Sequence, residues 1–397
     1  MLLGLVGKPS VGKSTFFKAA TLAEAEIASY PFTTIKPNRG IGYVKVECID
    51  VEFNTQCNPN KGFCINHNRF VPVEIIDVAG LVPGASEGKG LGNQFLDDLR
   101  QADIFIQIVD CSGTTNADGK ILEAEEKYDP LNDIKFLENE LDKWYYNIFI
   151  KVWKSFSRKA ELENVEFYKA VAKQFSGLKV NENQIKKVLR ELNFTEKPSL
   201  WNENKLMKFA SYLRKESKPM IIVANKIDTE NGVKNYEKFK KNFPDLMIIP
   251  CSADSELALR EAAKSGFIEY VSGERDFKII GDLSVKQKEA LEGIKKNVLN
   301  KFEHGTGVQF VLNSAVFDFL GYVAVFPASA NRLRDSKGNI LPDCFLLAGG
   351  STALDFAYYL HTDFGKNFIK AIDARTKRAL GKDYKIKHRD ALEIVAR

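Results

Sequence analysis

Short apolar runs punctuate the chain at Leu2–Val6, Val71–Ile76, Ile104–Val109, Met220–Ala224 and Leu246–Pro250. Each is the length of a buried strand and is followed by polar or glycine-rich residues. Residues 41–53 alternate loosely and predict a further strand. Between Asp110 and Lys218 the period changes. Ile134, Leu137, Leu141, Trp144, Ile148 and Val152 recur at three- and four-residue steps, the mark of an amphipathic helix. Asn181 reads as the N-cap of a helix with Ile185, Val188, Leu189 and Leu192 on one face, and Leu206, Phe209 and Leu213 mark another. The α/β pattern resumes at Met220. Residues 284–304 read as helical, and Gly349-Gly350-Ser351-Thr352 punctuates a helix start at Ala353 ahead of a short strand-rich tail. The pattern predicts an α/β domain from residues 1–115 and 219–310, a helical insert over 116–218, and a small α+β domain over 322–397.

The polar residues just after the strands carry the chemistry. Residues 7–15, Gly7-Lys8-Pro9-Ser10-Val11-Gly12-Lys13-Ser14-Thr15, contain the phosphate-loop pattern G-x-x-x-x-G-K-[ST] between a strand and a helix that begins near Ser14. Glycines let backbone N–H groups curl around phosphate oxygens, and the helix N-terminus adds a favourable dipole. Lys13 would reach the β- and γ-phosphates, and the Ser14 hydroxyl would ligate Mg²⁺. YPFTTIKPNRG, residues 30–40, excludes regular structure, and Thr33 or Thr34 in such a loop can complete Mg²⁺ coordination. DVAG, residues 77–80, places Asp77 to hold Mg²⁺ through water and Gly80 to sense a γ-phosphate. In NKID, residues 225–228, Asp228 can accept from guanine N1 and N2, Asn225 can meet the purine edge, and the Lys226 stem can cover the ring. A backbone N–H in Cys251-Ser252-Ala253 can reach guanine O6.

Composition changes this picture in two places. Net charge is +5 overall, but residues 1–140 carry −7, residues 141–218 carry +8 and residues 366–397 carry +6. Such basic segments suit phosphate backbones. The six cysteines are scattered, as expected of reduced thiols. Cys57, Cys64 and His67 invite a zinc reading, but a fourth ligand and close pairing are missing from the sequence, so a hairpin loop with free thiols is expected there. A strand starting at Leu2 leaves no room for a signal peptide and no apolar run approaches the length of a membrane span, so a cytoplasmic, monomeric protein with no membrane partner is expected.

The order of phosphate loop, switch threonine, DVAG, NKID and Ser-Ala resembles the translation-factor-like GTPases. YPFTTIKPNRG and DVAGLVPGASEGKGLGNQFL are similar to the Obg superfamily, and Asn93 in GLGNQFL to its YchF-type branch. The tail resembles the TGS domain, a β-grasp module. The resemblance implies a guanine-nucleotide switch with Gly7, Gly12, Lys13, Ser14 and Thr15 on the phosphates, Thr34 on Mg²⁺, Asp77 beside it and Gly80 on the γ-phosphate. It also implies ribosome or RNA association in translation or stress response. Asp228 stands where many YchF proteins have glutamate and use ATP, which favours GTP. Ser10 stands where many potassium-stimulated relatives carry asparagine, which weakens the case for K⁺ as a second cofactor. Leu81 occupies the place of the water-positioning glutamine of Ras-like enzymes and cannot orient water, so hydrolysis should be intrinsically slow. The alternatives are an ATPase on the same scaffold and a nucleotide-stabilised RNA-binding scaffold without turnover.

Overall fold

The computed structural model describes residues 1–21, 39–78, 100–123, 128–329, 333–335 and 338–397. Its centre is a seven-stranded sheet. β1 (Leu2–Val6) lies between β4 (Asn68–Asp77) and β5 (Ile104–Asp110), both parallel to it. β6 (Met220–Asn225) and β7 (Ile248–Pro250) extend the parallel side, in the order β4-β1-β5-β6-β7. β2 (Arg39–Glu47) and β3 (Phe63–Ile65) both pair antiparallel with β4. β1, β5 and β6 are buried along their whole length, which is why their sequences are apolar without alternation. Their C-terminal ends all reach one edge of the sheet. There Leu5 pairs with Asp77, and Asp110 with Asn225. That edge is where an open α/β sheet presents its ligand site.

Two expected strands are shorter than read. The run 41–53 ends as strand at Glu47 and continues as a 3₁₀ turn, Ile49–Phe53. Buried Asp50 ends the alternation there: its carboxylate accepts the Cys57 N–H (3.0 Å), which folds the chain back on itself. Leu246 sits in a turn closed by its N–H on the Phe243 carbonyl, so β7 starts only at Ile248.

The helical segment consists of Leu131–Leu162, Phe167–Gln174, Glu182–Leu192 and Glu203–Ser217. Asn181 caps the third with a reciprocal box: its side chain accepts the Gln184 N–H, and the Gln184 side chain accepts the Asn181 N–H. An aromatic core fills the space between these helices. Trp153 stacks on Trp201 (centroids 5.4 Å apart, 22°) and meets Phe209, while its indole N–H donates to the Pro198 carbonyl (3.1 Å). This core is continuous with Val6, Phe105 and Val109 of the sheet. The opposite face of the sheet packs on helix Val308–Asn313 and, through Leu341 and Cys344, on the tail.

The tail is a second sheet. β8 (Tyr322–Pro327) and β12 (Asp390–Ala396) run parallel at its centre, flanked by β9 (Phe345–Ala348), β10 (Phe368–Asp373) and β11 (Ala379–Leu380) in the order β9-β8-β12-β10-β11. Helix Ala353–Leu360 lies across it, capped by Thr352 as the sequence indicates. This is a β-grasp arrangement. Glu52 of the 3₁₀ turn ties the tail down by accepting from Arg375 and from Arg389 (2.7 Å), and the pairing with Arg375 holds its carboxyl below the usual range.

Trp153→Ala removes the centre of the aromatic core, and a loss of about 3–5 kcal/mol is expected. Urea unfolding followed by helix content measures it. A loss below about 1 kcal/mol would show that the core collapses around the gap.

Candidate functional site

The phosphate loop bridges β1 and helix Lys13–Thr21, and its shape is set by what crowds it. Gly12 has φ +89°, and a Cβ there would lie 2.4 Å from Asn225 Nδ2. That atom belongs to the bond that fixes the loop: Asn225 Nδ2 donates to the Val11 carbonyl (2.9 Å), while its Oδ1 accepts the Ala253 N–H (3.1 Å). One buried side chain therefore joins the loop, the end of β6 and the turn after β7. The glycine is required by the asparagine 213 positions downstream.

Lys13 and Ser14 meet Asp77. Lys13 Nζ pairs with Asp77 Oδ1 (2.7 Å), and the Ser14 hydroxyl donates to Asp77 Oδ2 (3.1 Å). Two hard oxygen donors beside a cation suit a small divalent ion such as Mg²⁺ bound with phosphate. Ser10 adopts φ +65° at the loop's tip. Pro9 packs closely on Gly119, whose absent Cβ would lie 2.6 Å from the Pro9 carbonyl. Thr15 lies in the first turn of the helix.

Lys8 behaves differently from its neighbours. Its side chain is buried, paired with Asp133 of the long helix (2.8 Å), donating to the Thr115 carbonyl (3.0 Å) and lying over the Tyr128 ring. At the phosphates Lys8 can contribute its backbone only. Its ammonium instead anchors the loop to the helical segment.

The base-side residues also converge. The Ser252 hydroxyl donates to Asp228 Oδ1 (2.9 Å), leaving the exposed carboxylate edge oriented. Lys226 has φ +62° and its Nζ reaches Asp110 Oδ2 (2.9 Å). Asp110, which sequence reasoning passed over, is a hub. Its carboxylate accepts from the Ser112 N–H and hydroxyl and from the hydroxyls of Thr114 and Thr115 as well. Burial alone would raise its pKa, but the Ser112 and Lys226 contacts hold it below the usual carboxylate range. The available signal was its position: an acid closing an apolar strand, level with the NKID motif. Thr33, Thr34, Gly80, Leu81 and Asn93 lie outside the described residues.

Among the described residues no helix is long and apolar enough to cross a membrane. Residues 2–140 match the family of 50S ribosome-binding GTPases, residues 223–329 the G4 motif-containing domain of the Obg-like GTPase YGR210-like family, and residues 337–396 the TGS domain. The chain is 49% identical to a GTP-binding protein of Methanocaldococcus jannaschii, over 100% of this chain and 99% of that one. It is 30% identical to the ribosome-binding ATPase YchF of Bacillus subtilis, over 93% and 87% of the two chains. The crystal structure of a GTP-binding protein from Pyrococcus horikoshii OT3 superposes with a TM-score of 0.79, at 37% identity over 100% of both chains.

The folded-state pKa of Asp110 is depressed, so its contribution to stability is present above the ordinary carboxylate value and is lost as pH falls through the folded one. Asp110→Asn should cost on the order of 2–3 kcal/mol at neutral pH and flatten the decline in urea midpoint as pH falls below the ordinary aspartate value of about 3.9. An unchanged pH profile would remove the hub assignment.

Proposed function

Because this chain belongs to the YchF branch of the Obg family of P-loop GTPases and carries a C-terminal TGS domain, we propose that it binds GTP and hydrolyses it slowly, as a nucleotide-dependent switch on ribosomes or RNA. The observation that carries the guanine reading is Asp228, oriented by the Ser252 hydroxyl at the mouth of the cleft that Asn225 closes. Its free carboxylate oxygen suits the paired N1 and N2 donors of guanine, which adenine lacks. The N–H groups of Cys251, Ser252 and Ala253, expected at O6, are instead taken by the Ala224 and Thr306 carbonyls and by Asn225 Oδ1, so Asp228 carries the base reading. The Bacillus subtilis relative is named an ATPase, so ATP is the competing ligand that any test must include.

Hydrolysis on this scaffold is in-line attack of water on the γ-phosphate. Lys13 is the protein cation placed to take up charge as the bond to the leaving oxygen breaks. Mg²⁺, held by Ser14 and through water by Asp77, would share that charge when bound. Asp77 competes for Lys13 and so links the end of β4 to the state of the phosphates. Thr34 and Gly80 are the proposed reporters of the γ-phosphate. With Leu81 following DVAG, the chain offers no side-chain amide at that position to align the water. Turnover therefore depends on a partner or another group for acceleration. The +8 segment at 141–218 and the +6 tail are the proposed contacts to RNA.

Asp228→Asn replaces one acceptor oxygen with an N–H donor and removes the charge, where a hydrogen bond to a charged group is worth about 1.5–3 kcal/mol, and should lower the GTP-over-ATP preference by at least about tenfold. Competition between the two nucleotides measures it, and an unchanged ratio rejects the base-readout assignment. Lys13→Ala should abolish triphosphate binding by calorimetry, and retained affinity would remove the phosphate-loop reading.

A further inference from the structure

One cluster stands apart from the nucleotide site. Cys48, at the end of β2, Asp50 in the 3₁₀ turn, Cys57 in the following loop and Cys64 on β3 bring one ligand atom each to within 4.8 Å of one another. Cys48 and Cys57 have their sulfurs 3.6 Å apart, and Cys64 Sγ lies 4.0 Å from Asp50 Oδ2. All four come from 17 consecutive residues. The sequence shows Cys57 and Cys64 but hides the other two, because Cys48 and Asp50 fall in what reads as a continuous strand. The 3₁₀ turn brings them back. His67, the expected ligand, does not reach the centre. Its Nδ1 contacts the far oxygen of Asp50, Oδ1, at 3.0 Å. The expected hairpin is present, and its thiols are free.

Two features of the surroundings require explanation. First, the sulfur spacing is wrong for a disulfide, whose S–S bond is about 2.05 Å, but matches a tetrahedral site, where Zn–S bonds of about 2.3 Å put sulfurs about 3.8 Å apart. Second, Arg69 is fully buried beside the cluster. Its Nη2 donates to the Leu341 carbonyl (2.6 Å), yet its Nε and Nη1 have no hydrogen-bond partner. A buried guanidinium needs a counter-charge, and neutral thiols provide none. A tris-thiolate, mono-carboxylate centre around a divalent cation carries net negative charge and supplies it.

We propose that Cys48, Asp50, Cys57 and Cys64 form a structural zinc site, with His67 orienting the Asp50 carboxylate and Arg69 balancing the charge of the centre. Three sulfurs and one carboxylate form a closed set with no open position, so the site is structural rather than catalytic. Soft thiolates select zinc over magnesium, which separates this ion from the one at the phosphate loop. His67 is the outer partner that metal-bound ligands characteristically have. The site's purpose follows from its neighbours. Glu52, between two of the ligands, accepts from Arg375 and Arg389 of the tail. Just past Cys57, the N–H groups of Asn58 and Asn60 donate to the Ile340 and Pro342 carbonyls (3.0 and 2.8 Å). Arg69 holds Leu341 between them. Zinc binding fixes the loop on which the β-grasp domain docks.

The test uses the full chain purified without chelator. Elemental analysis should find one zinc per chain, and replacing it with Co²⁺ should give a sulfur-to-cobalt charge-transfer band and the intense ligand-field bands of tetrahedral cobalt. Cys57→Ser and Cys64→Ser should lose the stoichiometric metal, Cys251→Ser should keep it, and His67→Ala should weaken zinc affinity by about 10-fold or more. Amide exchange over residues 339–342 should quicken when the metal is stripped. Because a cysteine variant can fail to fold, the wild-type metal content and cobalt spectrum decide the matter independently. Substoichiometric zinc with all thiols titratable, a cobalt spectrum without sulfur ligation, a Cys48–Cys57 disulfide, or iron with acid-labile sulfide would each overturn the proposal.

Discussion

The side-chain amide of Asn225 is the constraint on which the nucleotide cleft depends. It is buried, it uses both ends, and its partners come from segments far apart in the chain: the Val11 carbonyl in the phosphate loop and the Ala253 N–H after β7. A buried amide left unpaired costs about 1–3 kcal/mol per group, so the loop, the end of β6 and the β7 turn hold their positions together. Gly12 is the corresponding concession, because no side chain fits between the loop and that amide. The phosphate loop and the turn after β7 are in this way held as one unit.

The lysines around the cleft divide the electrostatic work. Lys13 pairs with Asp77 at the end of β4, Lys226 with Asp110 at the end of β5, and Lys8 with Asp133 in the long helix. Only the first pair has hard oxygen donors on both Ser14 and Asp77 and sits at the start of a helix. The other two are buried or half-buried ties. Lys8 and Asp133 carry the position of the loop into the helical segment, whose aromatic core is itself continuous with β1 and β5. A change at the phosphates therefore has a packed route to the basic surface at 141–218.

Much of this was legible in the chain because each motif directly follows an apolar run. Leu2–Val6 and the glycines after it, Met220 to Ala224 and NKID, and the Asn181 cap with Gln184 are local patterns, set by residues within a few positions of each other. What could not be read depends on distant partners. Lys8 looks like a phosphate-loop residue until Asp133, 125 positions on, takes its side chain. Asp110 acquires its role only once β6 lies beside β5. Cys48 and Asp50 read as strand because Ile49, Val51 and Phe53 alternate with polar residues, although the 3₁₀ turn in fact buries Ile49 and Asp50 and exposes Val51. The tail's contacts with Glu52 and Arg69 span about 300 positions and leave no local trace.

The resulting account is of a nucleotide cleft linked on one side to a basic helical segment and on the other, through the cysteine loop, to a basic β-grasp tail. Its central claim is that nucleotide state alters the affinity of those surfaces for the ribosome. Co-sedimentation with ribosomes in the presence of a non-hydrolysable GTP analogue or of GDP tests this most directly. The account predicts that more protein pellets with the GTP analogue than with GDP, and equal pelleting in both would contradict it.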